Sequence, residues 1–205
     1  MAKKLLLTGF EPFLDFSINP TMKIAEELDG TTIRDYTIAS HILSVDFHKA
    51  GNQLLQLIEV EKPDAIISLG LAGGRYKVTP ERIAINVNDG PIDNQGHEPD
   101  NEVIWNDGAD GLFSTLPISN MVKQLKEQGL PADISNTAGT YLCNHVMYQA
   151  LHYTKKNNLT FPAGFIHIPA SHELAIEHGK IPSWNHDDLK RAVTICIGTL
   201  SDEVN

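Results

Sequence analysis

The chain predicts an α/β fold, a sheet with helices packed on both of its faces. Over residues 5–70, short apolar or β-branched runs alternate with amphipathic stretches in the order β-α-β-α-β. The run Ala65-Ile66-Ile67-Ser68-Leu69-Gly70 is nearly continuous in apolar residues, as a strand covered on both sides must be. A length of 205 residues, with 41% hydrophobic and 20% charged side chains, suits one domain over residues 1–205 with a substantial core.

Taken in order, Leu5 to Thr8 reads as a short apolar strand and Thr21 to Leu28 as a helix. Thr32 to Ile42 is rich in β-branched residues and reads as strand. From Asp46 to Val60 the period is helical, with Phe47, Ala50, Leu54, Leu57 and Ile58 on one side. Pro63 and Gly70 bound the buried strand between them, and Pro80 to Val87 reads as a further strand. Residues 88–111 are crowded with Asn, Asp, Gly and Pro; so long a loop in a compact domain serves as an active-site wall or a subunit contact. A helix from Ser119 to Gln128 is stopped by Gly129 and Pro131. Ile134 belongs to a short strand, Leu142 to Lys155 to a helix, Gly164 to Ile168 to a strand, and Asp187 to Leu200 to the last helix. Asn157-Asn158 is a turn signal, and there is no internal repeat.

Charge and cysteine count narrow the function. A formal charge of −10 opposes contact with DNA, RNA or anionic lipid, whose phosphates call for a basic surface. The apolar run after Lys3 and Lys4 is too short for a secretory signal, and no stretch is long enough to cross a bilayer. Cys143 and Cys196 are too few for a disulfide framework, so a reducing cytoplasm is expected.

Cys143 lies where the Gly-containing segment Ser135-Asn136-Thr137-Ala138-Gly139-Thr140-Tyr141-Leu142 enters a helix. Unpaired N–H groups and the helix dipole favour thiolate there, which makes a nucleophile. The same residue also falls on the stripe Cys143, Val146, Met147, Ala150 and Leu151, the pattern of an inert core thiol. His145 is its neighbour in sequence, but helix positions i and i+2 point about 200° apart. It groups instead with Tyr141, Tyr148 and His152 as a polar packing face.

His167 lies near the carboxyl end of Gly164-Phe165-Ile166-His167-Ile168-Pro169, where ligands approach open α/β sheets; a hydrogen-bonded core histidine is the alternative. The strand period puts Glu81 on one side with Ile83, Ile85 and Val87, while Arg82 projects the other way. A carboxylate on an apolar face needs a partner, either an arginine or a histidine that it orients. Phe10 and Phe13 follow the first strand and either cap the core or form a slot for a flat, uncharged ring. Two motif readings are dismissed. His172-Glu173 with His178 has its histidines six apart, unlike HExxH, and Gly70-Leu71-Ala72-Gly73-Gly74 lacks the lysine and hydroxyl of a P-loop.

Four segments, in this order and spacing, resemble the pyroglutamyl peptidase I family, also called pyrrolidone-carboxylate peptidases. They are Thr8-Gly9-Phe10-Glu11-Pro12-Phe13 with Asn19-Pro20, Glu81-Arg82-Ile83-Ala84-Ile85-Asn86, the Ser135–Asn144 segment around Cys143, and Gly164–Pro169 around His167. The resemblance spans nearly the whole chain. It implies a Cys-His-Glu triad of Cys143, His167 and Glu81, which reverses the core-thiol reading. It also implies that Phe10 and Phe13 hold the substrate ring, with Asn19 shaping or hydrogen-bonding the pocket. The implied fold is a single-domain three-layer sandwich around an open, twisted mixed sheet, with no metal or cofactor, assembled as a homotetramer. The implied reaction removes an N-terminal pyroglutamyl residue from small peptides through a thioester acyl-enzyme. A thiol amidase acting on another N-acyl group and a non-catalytic small-molecule-binding protein are the competing readings.

Two departures stand out. Family members commonly carry Arg-Ile-Pro-Asp-Asn after the glutamate strand, where this chain has Gly90-Pro91-Ile92-Asp93-Asn94, so no residue takes the arginine's place. After the histidine this chain reads Pro169-Ala170-Ser171-His172-Glu173-Leu174 in place of the usual Pro-Tyr and Pro-Glu-Gln pattern, which bears on leaving-group contacts or subunit packing.

Overall fold

The computed structural model describes residues 2–13 and 16–202. Along the chain run β1 (Lys3–Phe10), α1 (Pro20–Leu28), β2 (Thr32–Ile33), β3 (Tyr36–Leu43), α2 (Ala50–Glu61), β4 (Ala65–Leu71), β5 (Thr79–Pro80), β6 (Ile83–Ile85) and β7 (Gly111–Phe113). There follow α3 (Ile118–Glu127), α4 (Leu142–Lys156), β8 (Ala163–Ile168), β9 (Ala170–Ser171), α5 (His172–His178), β10 (Ser183–Trp184) and α6 (His186–Thr199). The main sheet has the order β2-β3-β1-β4-β8-β5. Its four inner strands are parallel, and β2 and β5 run antiparallel at the edges. This is the mixed α/β sheet that the sequence implied.

Alternation along the strands divides the core in two. Leu5, Leu7, Ile67, Leu69 and Ile166 meet α1, α3 and α6 through Ile24, Leu125, Leu189 and Val193. Leu6, Ile66 and Phe165 meet α2 and α4 through Leu54, Ile58, Val146 and Met147. All seven residues of β4 are buried, which is why its sequence is apolar on both faces.

Several boundaries differ from the sequence reading, each for a local reason. Residues 46–49 form a turn before α2, with the Asp46 carboxylate accepting from His48 N at 2.9 Å. The β-branched run from Thr32 folds back on itself at Arg34, whose φ of 50° makes the reversal between β2 and β3. The strand expected from Pro80 to Val87 breaks at Arg82: β5 pairs with β8, whereas β6 pairs with β7 at the far end of the long loop. Ala132 and Ser135, rather than Ile134, make the bridges to Val78 and Glu81. The helix α5 was not read from sequence; its N-cap is Ser171, whose hydroxyl accepts from Leu174 N at 3.3 Å.

At the end of β1 the chain passes close to α1. A Cβ on Gly9 would lie 2.5 Å from the carbonyl oxygen of Thr21, and Phe10 N donates to the Thr21 hydroxyl at 3.0 Å. Backbone cannot yield as a flexible side chain does. Gly9→Ala should therefore lower stability by about 1–3 kcal/mol, the usual range for overpacking. Urea unfolding measures it; an unchanged midpoint would show that the first turn of α1 moves freely away from β1.

Candidate active site

Strand register brings the chemistry to one edge. The parallel pairing of β4 with β8 sets Gly70 beside His167, and the antiparallel pairing of β5 with β8 sets Thr79 beside it on the other side. Two residues on from Thr79, Glu81 returns to the same face, and its N–H donates to Phe165 O at 2.9 Å. Its carboxylate then lies diagonal to His167. Glu81 Oε1 is 2.7 Å from His167 Nδ1, with Glu81 0% and His167 5% exposed.

The helix α4 begins on this face. Its N-cap, Tyr141, makes no side-chain cap bond, so the first-turn N–H groups stay open toward the strand ends. Cys143 sits in that turn. A Cβ on Gly70 would lie 2.9 Å from Cys143 Sγ and 2.6 Å from the Phe165 ring, so the missing side chain at Gly70, the register partner of His167, leaves room for the thiol. Asn144 secures the helix end: its Oδ1 accepts from Ile85 N at 2.8 Å, and its Nδ2 donates to Ile85 O and Val87 O, each at 2.9 Å.

A cavity of about 280 Å³ opens outside the carboxyl ends of β1, β4 and β8. Phe10, Phe13, Asn19, Cys143 and His167 all line it, and Glu81 stands behind His167. Phe10 lines the cavity while only 3% exposed in the core. Asn19 caps α1: its Oδ1 accepts from Thr21 N and the Thr21 hydroxyl, and its Nδ2 donates to Glu11 O. Those bonds make it the brace of the Phe10–Phe13 wall. Cys196 lies in the opposite core layer with Val193 and Ile197.

The open choice between arginine and histidine as partner for Glu81 resolves to both. Arg75 Nη1 donates to Glu81 Oε1 at 2.6 Å and to the Thr79 hydroxyl at 2.6 Å, and Nη2 donates to Thr137 O at 3.2 Å. Sequence reasoning missed Arg75. The signal was a buried carboxylate in need of a cation and one arginine just past the Gly73-Gly74 turn at the strand end.

Burial alone would push Glu81 up, but His167, Ser135 and Arg75 together hold it below the usual carboxylate range. Burial carries His167 below the ordinary imidazole value, against the pull of Glu81 and with a further push from Arg75. The expected low thiol pKa is corrected. Burial drives Cys143 up to about 12, the Glu81 charge adds to this, and Arg75 and the residue's own N–H only partly offset it. Desolvation outweighs the helix terminus here.

His145 does not line the cavity. Its Nδ1 meets Asn88 Oδ1 at 3.0 Å, and its ring packs on Phe47 at 5.9 Å between centroids. The rest of that helix side also meets the long loop: Tyr148 Oη donates to Ala109 O at 2.6 Å, and His152 stacks on Trp105 at 4.8 Å. Among the described residues, 88–111 contribute nothing to the cavity lining. They support it at one remove, since Tyr141, which does line it, donates from Oη to Ile92 O at 3.2 Å. Asn94 Nδ2 donates to Pro12 O at 2.9 Å and ties the loop to the Phe10–Phe13 wall.

Comparison with known proteins agrees with this fold. A family model described as pyroglutamyl peptidase matches residues 3–203. A pyrrolidone-carboxylate peptidase from Oceanobacillus iheyensis is 58% identical over 198 residues, covering 97% of this chain and 99% of its own. One from Lysinibacillus sphaericus is 58% identical over 194 residues, with 95% of each covered. Among solved structures, a mutant pyrrolidone carboxyl peptidase from Pyrococcus furiosus superposes with a TM-score of 0.95 at 42% identity, covering 98% of this chain and 100% of that one. The pyrrolidone carboxyl peptidase from Thermococcus litoralis gives 0.94 at 37% identity, with 98% and 94% covered.

His145 carries a pH dependence of stability. Burial lowers it from 6.5 to about 4, so between those values the unfolded chain binds a proton that the folded chain does not. Its contribution is complete above about pH 6.5, is lost as pH falls to about 4, and amounts to at most about 3 kcal/mol. His145→Gln should flatten the stability profile in that window, measured by denaturant unfolding at a series of pH values. A variant as acid-sensitive as the parent would place the titration elsewhere.

Proposed function

Because the chain belongs to the pyroglutamyl peptidase family, we propose that it cleaves the bond after an N-terminal pyroglutamyl residue with Cys143 as nucleophile, His167 as general base and acid, and Glu81 orienting His167. One observation carries this assignment: the 2.7 Å contact between His167 Nδ1 and a fully buried carboxylate, at the floor of a cavity that also holds Cys143.

An ionised carboxylate only accepts, so Nδ1 carries the hydrogen and Nε2 keeps its lone pair for the thiol proton. Burial keeps both thiol and imidazole neutral at rest. The proton therefore passes from Sγ to Nε2 as sulfur bonds to the pyroglutamyl carbonyl carbon. Glu81 stabilises the imidazolium so formed, and open N–H groups at the start of α4 meet the oxyanion. His167 then returns the proton to the departing amine nitrogen as the C–N bond breaks, which leaves a thioester. Water, deprotonated by the same Nε2, attacks the thioester carbon; free pyroglutamate leaves and the thiol is restored.

The cavity suits this acyl group. A pyroglutamyl terminus is an uncharged lactam with no ammonium, so an apolar wall of Phe10 and Phe13 can hold its ring where a carboxylate-lined pocket would find nothing to pair. Asn19 shapes that wall from the start of α1. Small peptides are the substrates.

The proposal includes a reducing cytoplasm, since a thiol nucleophile must stay reduced and the only two cysteines are Cys143 and Cys196. Among the described residues no helix is long and apolar enough to cross a membrane. It also includes a homotetramer, the common family assembly, for which exposed Val103 and Phe113 supply apolar surface.

Hydrolysis of a fluorogenic pyroglutamyl amide tests the reading. Cys143→Ala should fall to background while Cys196→Ser keeps most of its activity. His167→Ala should lose on the order of 10²–10⁴ in rate, the range for a positioned acid–base group. His145→Gln should lose far less. Full turnover by Cys143→Ala would end the thiol mechanism, and equal rates on prolyl or acetyl-amino-acid amides would move the chain to a broader thiol amidase.

A further inference from the structure

One charged side chain in the cavity takes no part in these steps. Arg75 follows β4 by four residues and turns back over the strand ends, with its side chain 31% exposed, while the carboxylate that it meets is 0% exposed. We propose that Arg75 is a positioning residue for the reaction, a single guanidinium that locks Glu81, and through it His167, to the segment entering the helix of Cys143. The proposal rests on the assignment of Cys143, His167 and Glu81 given above.

Three contacts carry it. Nη1 donates to Glu81 Oε1, the same oxygen that meets His167, while Oε2 has no hydrogen-bond partner among the described residues. Two donors on one oxygen hold the carboxylate against rotation, which would otherwise be free to present either oxygen to the imidazole. The same Nη1 donates to the Thr79 hydroxyl, and Thr79 is the residue in register with His167. Strand pairing thus places both the base and the hydroxyl that steadies the arginine. Nη2 reaches Thr137 O, four residues before the N-cap Tyr141. Arg75 therefore joins the β4–β5 connection, the buried carboxylate and the approach to α4.

This arrangement has an electrostatic signature that a purely structural role lacks. Among the described residues, the titratable and charged groups around His167 are Glu81 from the residue after β5, Arg75 from the β4–β5 connection, and Cys143 from α4, which lines the same cavity. Phe165 on its own strand packs against it without charge. With Arg75 in place, the Glu81 charge is shared between imidazolium and guanidinium, and Arg75 disfavours the protonated imidazole. Without that charge the carboxylate acts on His167 unopposed, so protonation of the base extends to higher pH. Removing the arginine should therefore cost activity most on the acid side.

The pH dependence of kcat/KM for a fluorogenic pyroglutamyl amide, over roughly pH 5 to 9, tests this in the full-length protein with Arg75→Met and Arg75→Lys. Arg75→Met should lose about 10²-fold in kcat/KM, as misplaced catalytic groups do, and its acid limb should move up by about one pH unit. Arg75→Lys keeps a charge beside Glu81 but not the fork to Thr79 and Thr137. It should retain the parent's acid limb and recover only part of the rate. A folded Arg75→Met protein with the parent's acid limb would overturn the proposal, whatever its rate. If Arg75→Met does not fold, Arg75→Lys decides alone, and a rate equal to the parent's would overturn it. An acid limb unchanged in His167→Ala would remove the underlying triad assignment, a result distinguishable from any obtained with Arg75.

Discussion

Glu81 carries a negative charge to a position with no exposed surface, and the surrounding elements are arranged so that this charge is met. Leaving a buried carboxylate unpaired would cost several kcal/mol. Here one oxygen receives both Arg75 and His167, and the carboxyl group is held ionised against its desolvation. The imidazole is thereby fixed in one tautomer and one orientation. A group whose burial looks wasteful for stability is what aligns the imidazole with the cavity.

The sheet supplies the alignment with little further machinery. Strand order reverses between β1 and β4, and a crevice opens at the carboxyl ends of these strands. Phe10 and Phe13 come from one side of that crevice and Arg75 from the other, with His167 on the next strand. Cys143 comes from α4, whose start is held by Asn144 against β6. Apart from the Phe13 segment, each group stands on or beside regular structure, which gives the positional precision that thiol chemistry demands.

Much of this was legible in the sequence, because continuous apolar runs and helical periods report burial directly. The strand beginning at Ala65, the helix beginning at Leu142 and the turning of His145 away from Cys143 follow from period and spacing, whereas the grouping of Cys143 with His167 came from the family resemblance. Glu81 was placed correctly for an incomplete reason. Its supposed face-mates Ile83 and Ile85 are only half-buried and Ala84 is the buried one, since the chain breaks at Arg82. No pattern in residues 79–87 announces that break, because it is imposed by separate partners, β8 and β7. The short α5 and the two-residue strands carry too few residues to show a period. Arg75 was missed for another reason: the carboxylate's need for a cation was visible, but Thr79, Glu81 and Thr137 meet this arginine only in space. The low thiol pKa expected at a helix entrance gave way to desolvation, which sequence does not report.

The glycine under the thiol and the burial around it bear on how such a site meets other electrophiles. Oxidants and simple alkylating reagents select cysteines by their standing thiolate population. A neutral sulfur offers them little even though Cys143 is only half-buried and lines the cavity, and under the proposed mechanism a reacting partner must bring its carbon to Sγ within reach of His167 Nε2. Chemoselectivity then comes from the acyl slot rather than from intrinsic sulfur reactivity. Warheads built on a lactam ring should engage this cysteine where reagents of greater inherent reactivity, lacking the ring, pass it by.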